Sequence, residues 1–307
     1  MGRIKHTLSL LSLLFFLFGI SNGVAQKKNL PEFTWPVVKG NIPDLKGLTS
    51  TFAETRGDHF HNGIDISSLN DSVSPVSPGK ILYSRLQNDD PYKPQPGPGN
   101  YIFIDHGNGW WSGYYHLDRL SDLREGSVRK DDIIGFTGNT GHSSGAHLHF
   151  FILKNYGEVY LNPLSFLPGI TDSNPPVIGQ IEIVTPSGKT LISHSRPQEI
   201  RLTKSYPLLL QVTDAGMEKN TRRGIFSLEW QLNQMSPQKL TFDELRLSEK
   251  GWISPQGKSF EETYLHDLYN LGELPLINGS NKLKITAQDI NGLSTSVIFD
   301  INVAKEF

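Results

Sequence analysis

The sequence predicts an all-β protein in two parts: a first domain of short strands and then a β-sandwich. Three observations carry that expectation. Helical periodicity is scarce, while short apolar and β-branched runs recur between turn signals. The 307-residue chain contains 29 Gly and 19 Pro, which punctuate it too often for long helices. Its length, even without an amino-terminal leader, exceeds that of one typical domain.

The chain opens with Arg3, Lys5 and His6, followed by the apolar run Leu8–Ile20, which is short for a membrane span. Small residues in Gly23-Val-Ala25 complete the pattern of a secretory signal peptide over 1–25. Residues 26–46 read as a polar, proline-containing lead. The first domain is expected over 47–168. Within it, 47–52 is strand-like, and Asn62-Gly63 signals a tight turn between His61 and Asp65. Val73–Tyr83 is a turn leading into a strand. Asn88–Asn100 is a proline-rich loop. Tyr101–Ile104 and Trp110–His116 form a hairpin about Asp105–Gly109, Ile133–Phe136 is a further strand, and Leu161–Pro168 closes the domain. Residues 169–176 read as a linker. Over 177–307, runs such as Ile181–Val184, Tyr206–Val212, Ser227–Leu232, Lys282–Ala287 and Ser296–Val303 suggest an immunoglobulin-like sandwich. Glu261–Leu271, free of Gly and Pro, reads as one short helix.

The chain carries 29 basic and 31 acidic residues. Removing Arg3 and Lys5 with the leader makes the balance more acidic, which excludes a nucleic-acid-binding class. There is no cysteine, so the fold needs no disulfide, and a transition metal would fall to His and carboxylate ligands. No later stretch is apolar enough to span a membrane. The expected location is outside the cytoplasm, in a periplasm or secreted.

Seven of the ten histidines fall between His59 and His149. Three groupings stand out: His61-x3-Asp65, a lone His116 after Tyr114-Tyr115, and His147-x-His149 leading the apolar run Phe150–Leu153. On a strand, residues two apart share a face, so His147 and His149 would stand side by side over one site. Two His and one Asp can hold a zinc ion and leave a position for water, whose pKa the metal lowers. Further histidines nearby can move a proton or stabilise an oxyanion.

From about Phe52 to Leu167 the sequence resembles the lysostaphin-type zinc endopeptidases of bacterial cell-wall metabolism. The resemblance rests on His61-x-Gly63-x-Asp65, on Tyr114-x-His116-Leu117, on Gly138-x-Thr140-Gly141 through Gly145-x-His147-Leu-His149-Phe150, and on Asn162-Pro163. It implies a compact antiparallel β-sheet fold with a groove for an extended peptide. It also implies one zinc ion held by His61, Asp65 and His149, with His116 and His147 as the catalytic pair around a metal-activated water. The implied reaction is hydrolysis of peptide bonds in peptidoglycan stems or cross-links. Phe151 and Thr55 depart from the pattern: the family often has Glu at the first position, and some members have a transition-state-stabilising Tyr at the second.

Other residues have blander readings. His106 is a turn residue, His59 is exposed beside the site, and His142 is a loop residue. Arg56 is either a substrate contact or a surface ion pair. Trp110 and Trp111 are strand packing. The leading expectation is an active peptidoglycan endopeptidase. The alternatives are a non-enzymatic scaffold or activator of other wall hydrolases that keeps the fold, and a protease for other substrates, such as glycine-rich protein segments. The C-terminal sandwich is expected to dock a regulatory partner, bind wall or restrain the groove.

Overall fold

The protein is described from a computed structural model, which covers residues 31–37, 47–89, 97–169, 172–186, 188–215 and 222–305. The expected leader, most of the lead and the centre of the proline-rich loop lie outside these residues. Among the described residues, no helix is long and apolar enough to cross a membrane.

The amino-terminal half contains ten strands: β1 (Leu48–Ser50), β2 (Ile64–Ser67), β3 (Ser72–Val73), β4 (Gly79–Arg85), β5 (Asn100–Asp105), β6 (Trp111–Leu120), β7 (Gly126–Val128), β8 (Gly135–Thr137), β9 (His147–Lys154) and β10 (Val159–Leu161). Their spine is antiparallel, in the order β10-β9-β6-β5-β4-β7. Strand β9 lies inside it, flanked by β6 along one edge and by β2 and then β10 along the other. Its near-continuous apolar run is what a strand covered on both faces needs. Leu148, Phe150 and Ile152 pack with Ile64, Ile102, Ile104, Tyr114 and Leu117 in the core. On the opposite face Phe151 lies over Gly113, where an added Cβ would stand 2.0 Å from the ring.

The lead is not wholly polar. Phe33, Trp35 and Val37 are buried in the same core. The Thr34 backbone N–H donates to Val76 O (2.7 Å), and Trp35 Nε1 donates to Pro168 O (3.0 Å). The alternating apolar residues of Phe33-x-Trp35-x-Val37 were the available signal, outweighed by the prolines around them.

The carboxyl-terminal half forms two further sheets. One contains Gly188–Ile192, Val177–Thr185, Pro207–Ala215, Leu268–Glu273 and Tyr264–Leu265; the other contains Gln198–Leu202, Ser294–Lys305, Gly279–Gln288, Ser227–Leu232 and Gln238–Thr241. They enclose Ile181, Leu208, Leu210, Leu228, Trp230, Leu283, Ile285 and Phe299, as a sandwich should. The expected helix over 261–271 is only one turn, Phe260–Thr263, closed by a Ser259–Glu262 capping box. A tight hairpin follows, with Tyr264 paired to Tyr269 and His266 and Asp267 both left-handed (φ 53° and 60°). Apolar residues at 264, 265, 268 and 269 fit a helical stripe and a two-residue hairpin equally well, and burial of both tyrosines in the sandwich favours the hairpin.

The two halves are interlocked. Strand Glu244–Ser248 pairs with β10, and Gly251–Ile253 pairs beyond it, so a sandwich hairpin extends the amino-terminal sheet. In return Phe52, Ala53 and Phe60 are buried in the sandwich core, where Phe60 meets Phe260 and Tyr264 edge-on at 5.4 and 6.0 Å. Tyr264 Oη donates to Ala53 O (2.9 Å), the Gly224 N–H donates to Glu54 Oε1 (2.9 Å), and Arg223 Nη2 donates to Leu48 O (3.0 Å). Truncating Phe60 removes a ring buried between the halves. Phe60→Ala is expected to cost about 3–5 kcal/mol in equilibrium denaturation. A loss below about 1 kcal/mol would show that the interlock is weak.

Candidate metal centre

Strands β2 and β9 bring the predicted groups together. Their register sets Asp65 opposite His149 and Ser67 opposite His147, while Tyr115 of β6 lies opposite His149 on its other side. Directly paired residues share a face, so Asp65, His149 and Tyr115 face one way. Asn62-Gly63 does not make the expected tight turn. Gly63 leads into β2 without a left-handed φ, and its role is close approach: a Cβ there would lie 2.4 Å from Phe150 O. Strict alternation would turn His116 away from Tyr115. A register shift in β6 next to His116 and a left-handed φ of 62° re-aim the ring, as a bulge does. The His116 ring centroid ends 4.8 Å from that of His147 and 6.1 Å from that of His149.

Three donor atoms converge. His61 Nε2 lies 3.1 Å from Asp65 Oδ1 and 3.0 Å from His149 Nδ1, and His149 Nδ1 lies 2.8 Å from the same carboxylate oxygen. Ligands of a tetrahedral ion with ~2.0–2.1 Å bonds stand roughly 3.3 Å apart. The observed triangle is therefore close to the face of such a tetrahedron. All three side chains are buried.

Each imidazole is oriented from behind. His61 Nδ1–H donates to Thr51 O (2.7 Å), His149 Nε2–H to Asn62 Oδ1 (3.0 Å), His116 Nδ1–H to Thr140 O (2.9 Å) and His147 Nδ1–H to Gly145 O (2.8 Å). This fixes the tautomer and leaves one bare nitrogen on every ring. The bare nitrogens of His61 and His149 meet Asp65, and that of His147 lies 3.7 Å from the same Oδ1. Lone pairs crowded against a carboxylate call for a cation, so the donor set fits zinc, with His61, Asp65 and His149 able to hold it. The carboxylate is also supported from outside, as Arg56 Nη2 donates to Asp65 Oδ2 (2.5 Å) and to Ser50 Oγ (2.8 Å).

Electrostatics follow from burial. Burial works to raise the Asp65 carboxyl, but the adjoining His61 and His149 rings, which become its ion-pair and hydrogen-bond partners whenever they take up a proton, outweigh it and hold the pKa well below the usual carboxylate range. Burial, and then the neighbouring imidazoles, push His149 down to about 4 against the pull of Asp65. Burial also lowers His116, partly offset by its bond to Thr140 O.

Arg56 makes an ion pair, one of its two expected readings, with Asp65 as the partner. The aromatic neighbours of the centre carried no such expectation. Tyr115 stacks on His149 at 5.6 Å, and Phe151, Tyr160 and Trp252 continue an aromatic row. Phe151, buried among these rings, leaves no polar partner for a carboxylate at that position. Thr55 Oγ1 donates to Asp267 Oδ1 of the sandwich hairpin (2.8 Å). Tyr115 could have been inferred from its place next to His116; Trp252, some hundred residues later, had no sequence signal. His106 bonds Pro78 O and Ser112 Oγ away from the centre. His59 is exposed and paired with Asp58.

The sheet thus brings together two imidazoles, one carboxylate and two further imidazoles. Residues 59–163 match Peptidase family M23. A second match, carrying no description, covers residues 175–304. Among curated relatives, the chain is 48% identical over 107 residues to the DD-carboxypeptidase/endopeptidase Mpg of Neisseria meningitidis, covering 34% of this chain and 22% of that protein. It is 32% identical over 94 residues to the peptidoglycan DD-endopeptidase ShyA of Vibrio cholerae, covering 30% and 20% respectively. The chain thus spans about a fifth of the length of these relatives. Among solved structures, it aligns with a zinc-containing peptidase from Vibrio cholerae (24% identity, 46% of this chain and 41% of that one, TM-score 0.36). It also aligns with the catalytic domain of lysostaphin from Staphylococcus simulans (26% identity, 38% and 86%, TM-score 0.32).

Two outcomes are expected. In metal-free protein the unfolded chain takes up a proton at His149 near pH 6.5, but the folded chain does so only near 4. Stability should therefore fall as pH drops through that window, by roughly 2 kcal/mol at pH 5, and Asp65 adds its loss only below about pH 4. Denaturant titrations at pH 7.5 and 5 check this, and the difference should shrink in His149→Ala. Separately, Arg56→Ala should weaken zinc affinity about 10–100-fold in competition with a chromogenic chelator, and unchanged affinity would reduce Arg56 to a surface pair.

Proposed function

We propose that this chain is an exported, zinc-dependent endopeptidase that hydrolyses peptide bonds in peptidoglycan. One observation carries the reading: four buried or half-buried imidazoles have their outer nitrogens committed to protein oxygens, the bare nitrogens of His61, His147 and His149 gather round one carboxylate, and the His116 ring stands beside that of His147. His61, Asp65 and His149 are the metal ligands of this reading. Zinc, when bound, supplies Lewis acidity that activates a water and polarises the scissile carbonyl.

The remaining chemistry belongs to side chains of this protein. His116 and His147 each have Nδ1–H tied to a carbonyl, so each offers Nε2 as a proton acceptor. The lowered pKa of His116 keeps it neutral, and able to accept, at neutral pH. The pair takes the proton released as water oxygen bonds to the carbonyl carbon. It then returns a proton to the departing amine nitrogen as the C–N bond breaks. The half-buried rings of Tyr115, Tyr160 and Trp252, packed on the buried Phe151, provide an apolar floor beside the centre for an extended peptide. Mpg and ShyA, named as enzymes of peptidoglycan peptides, support the substrate class. The leader pattern and the wall substrate together support export, with a periplasm preferred.

The test is incubation of the chain from Gln26 onward with purified peptidoglycan, followed by mass analysis of soluble products. Peptide-cleaved muropeptides should appear, disappear with a chelator and return with zinc. His149→Ala should lose both bound zinc and hydrolysis. His147→Ala should keep zinc and lose about 10²–10⁴-fold in rate. Hydrolysis by His149→Ala would overturn the ligand set. Full zinc loading with no cleavage of any peptidoglycan would favour the non-enzymatic scaffold.

A further inference from the structure

A second cluster of ionisable groups lies where the chain passes from one half to the other. Asp172, Asp214 and Asp289 each place a carboxylate oxygen within 4.8 Å of the others. They come from three separate pieces of chain: Asp172 from the segment before Val177–Thr185, Asp214 from the end of Pro207–Ala215, and Asp289 from the turn joining Gly279–Gln288 to Ser294–Lys305. Asp214 and Asp289 are only 5% and 2% exposed.

Some of their oxygens have local donors. The Asn174 N–H donates to Asp172 Oδ1 and the Leu293 N–H to Asp289 Oδ1, at 2.9 and 2.8 Å. Asp289 Oδ2 is fully buried and has no hydrogen-bond partner. A buried carboxylate oxygen without a donor is costly, and two more carboxylates beside it raise the cost. Arg223, paired in register with Asp214, offsets one of three negative charges and directs its Nη2 to Leu48 O. Two charges remain for a ligand to neutralise.

The donor set selects the ligand. It is all carboxylate, with no imidazole or thiolate, unlike the His-rich centre of the first sheet. Oxygen donors from three separate pieces of chain suit a hard divalent cation, and calcium, which accepts 6–8 oxygens in loose geometry, suits them better than magnesium. We propose that Asp172, Asp214 and Asp289 bind one calcium-class cation, which ties the segment joining the two halves onto the sandwich. This proposal does not depend on the peptidase reading.

The experiment uses the chain from Gln26 with its zinc site loaded, freed of other metals. Calcium chloride is titrated by calorimetry at pH 7, and the thermal midpoint is followed with and without calcium, with magnesium as comparison. One binding event is expected, with a midpoint rise of roughly 5 °C at calcium about 100-fold above Kd. Asp289→Asn should weaken calcium binding at least about tenfold and lose the midpoint rise while keeping zinc. If Asp289→Asn does not fold, Asp172→Asn, on the half-buried joining segment, gives the same readout. Absence of both heat and midpoint shift with calcium would overturn the proposal, as would undiminished binding in the Asp172→Asn variant.

Discussion

Phe60 and His61 are neighbours in the chain, yet their side chains belong to different halves of the protein. Phe60 is packed in the sandwich core, while His61 is buried against Asp65 and His149 in the first sheet. The segment from Leu48 to His61 is therefore fixed at both faces: by Arg223, Gly224 and Tyr264 on one, and by Thr51 O and Asp65 on the other. A metal site tolerates little play in its ligands, since affinity depends on the groups that hold them. Here the holding groups include a domain outside the family match. The sandwich is part of the scaffold of the centre, rather than a module appended to it.

The same economy governs the electrostatics. Backbone carbonyls orient His61, His116 and His147 without adding charge, and an amide oxygen does so for His149. The net charge of the centre is therefore decided by Asp65 alone, and Arg56 steadies its outer oxygen. Burial disfavours protonation of His149 and His116, which preserves lone pairs on both rings. The bend that brings the His116 ring to the centre puts its backbone in the left-handed region, a strained conformation for a non-glycine residue.

The centre itself was legible in the sequence because strand periodicity and short motif spacing are local properties. His147-x-His149 names a shared face without knowledge of the partner strand, and His61-x3-Asp65 needs only that β2 pair beside it. What was illegible depends on long-range pairing. Trp252 reaches the aromatic row through the pairing of Glu244–Ser248 with β10. Phe33 and Trp35 are core residues in a stretch whose prolines and charges suggested a solvated lead. The hairpin at 264–273 was read as helix because four apolar positions fit both periods, and only the packing of Tyr264 and Tyr269 separates them. Arg56 was a choice between substrate and solvent, and its partner proved to be a predicted ligand.

Strand β10 is short and follows a strand buried on both faces. If the sheet stopped there, a row of unpaired N–H and C=O groups beside an apolar surface would form a template for another chain's strand. The pairing with Glu244–Ser248, and then Gly251–Ile253, moves that exposed border onto a hairpin bearing Glu244, Arg246, Glu249 and Lys250. Covering this border protects the chain against self-association through an open sheet edge. A chain that shed the sandwich would lose that protection along with the clamp on the centre, and its self-association would reflect an uncovered sheet border rather than misfolding of the first sheet.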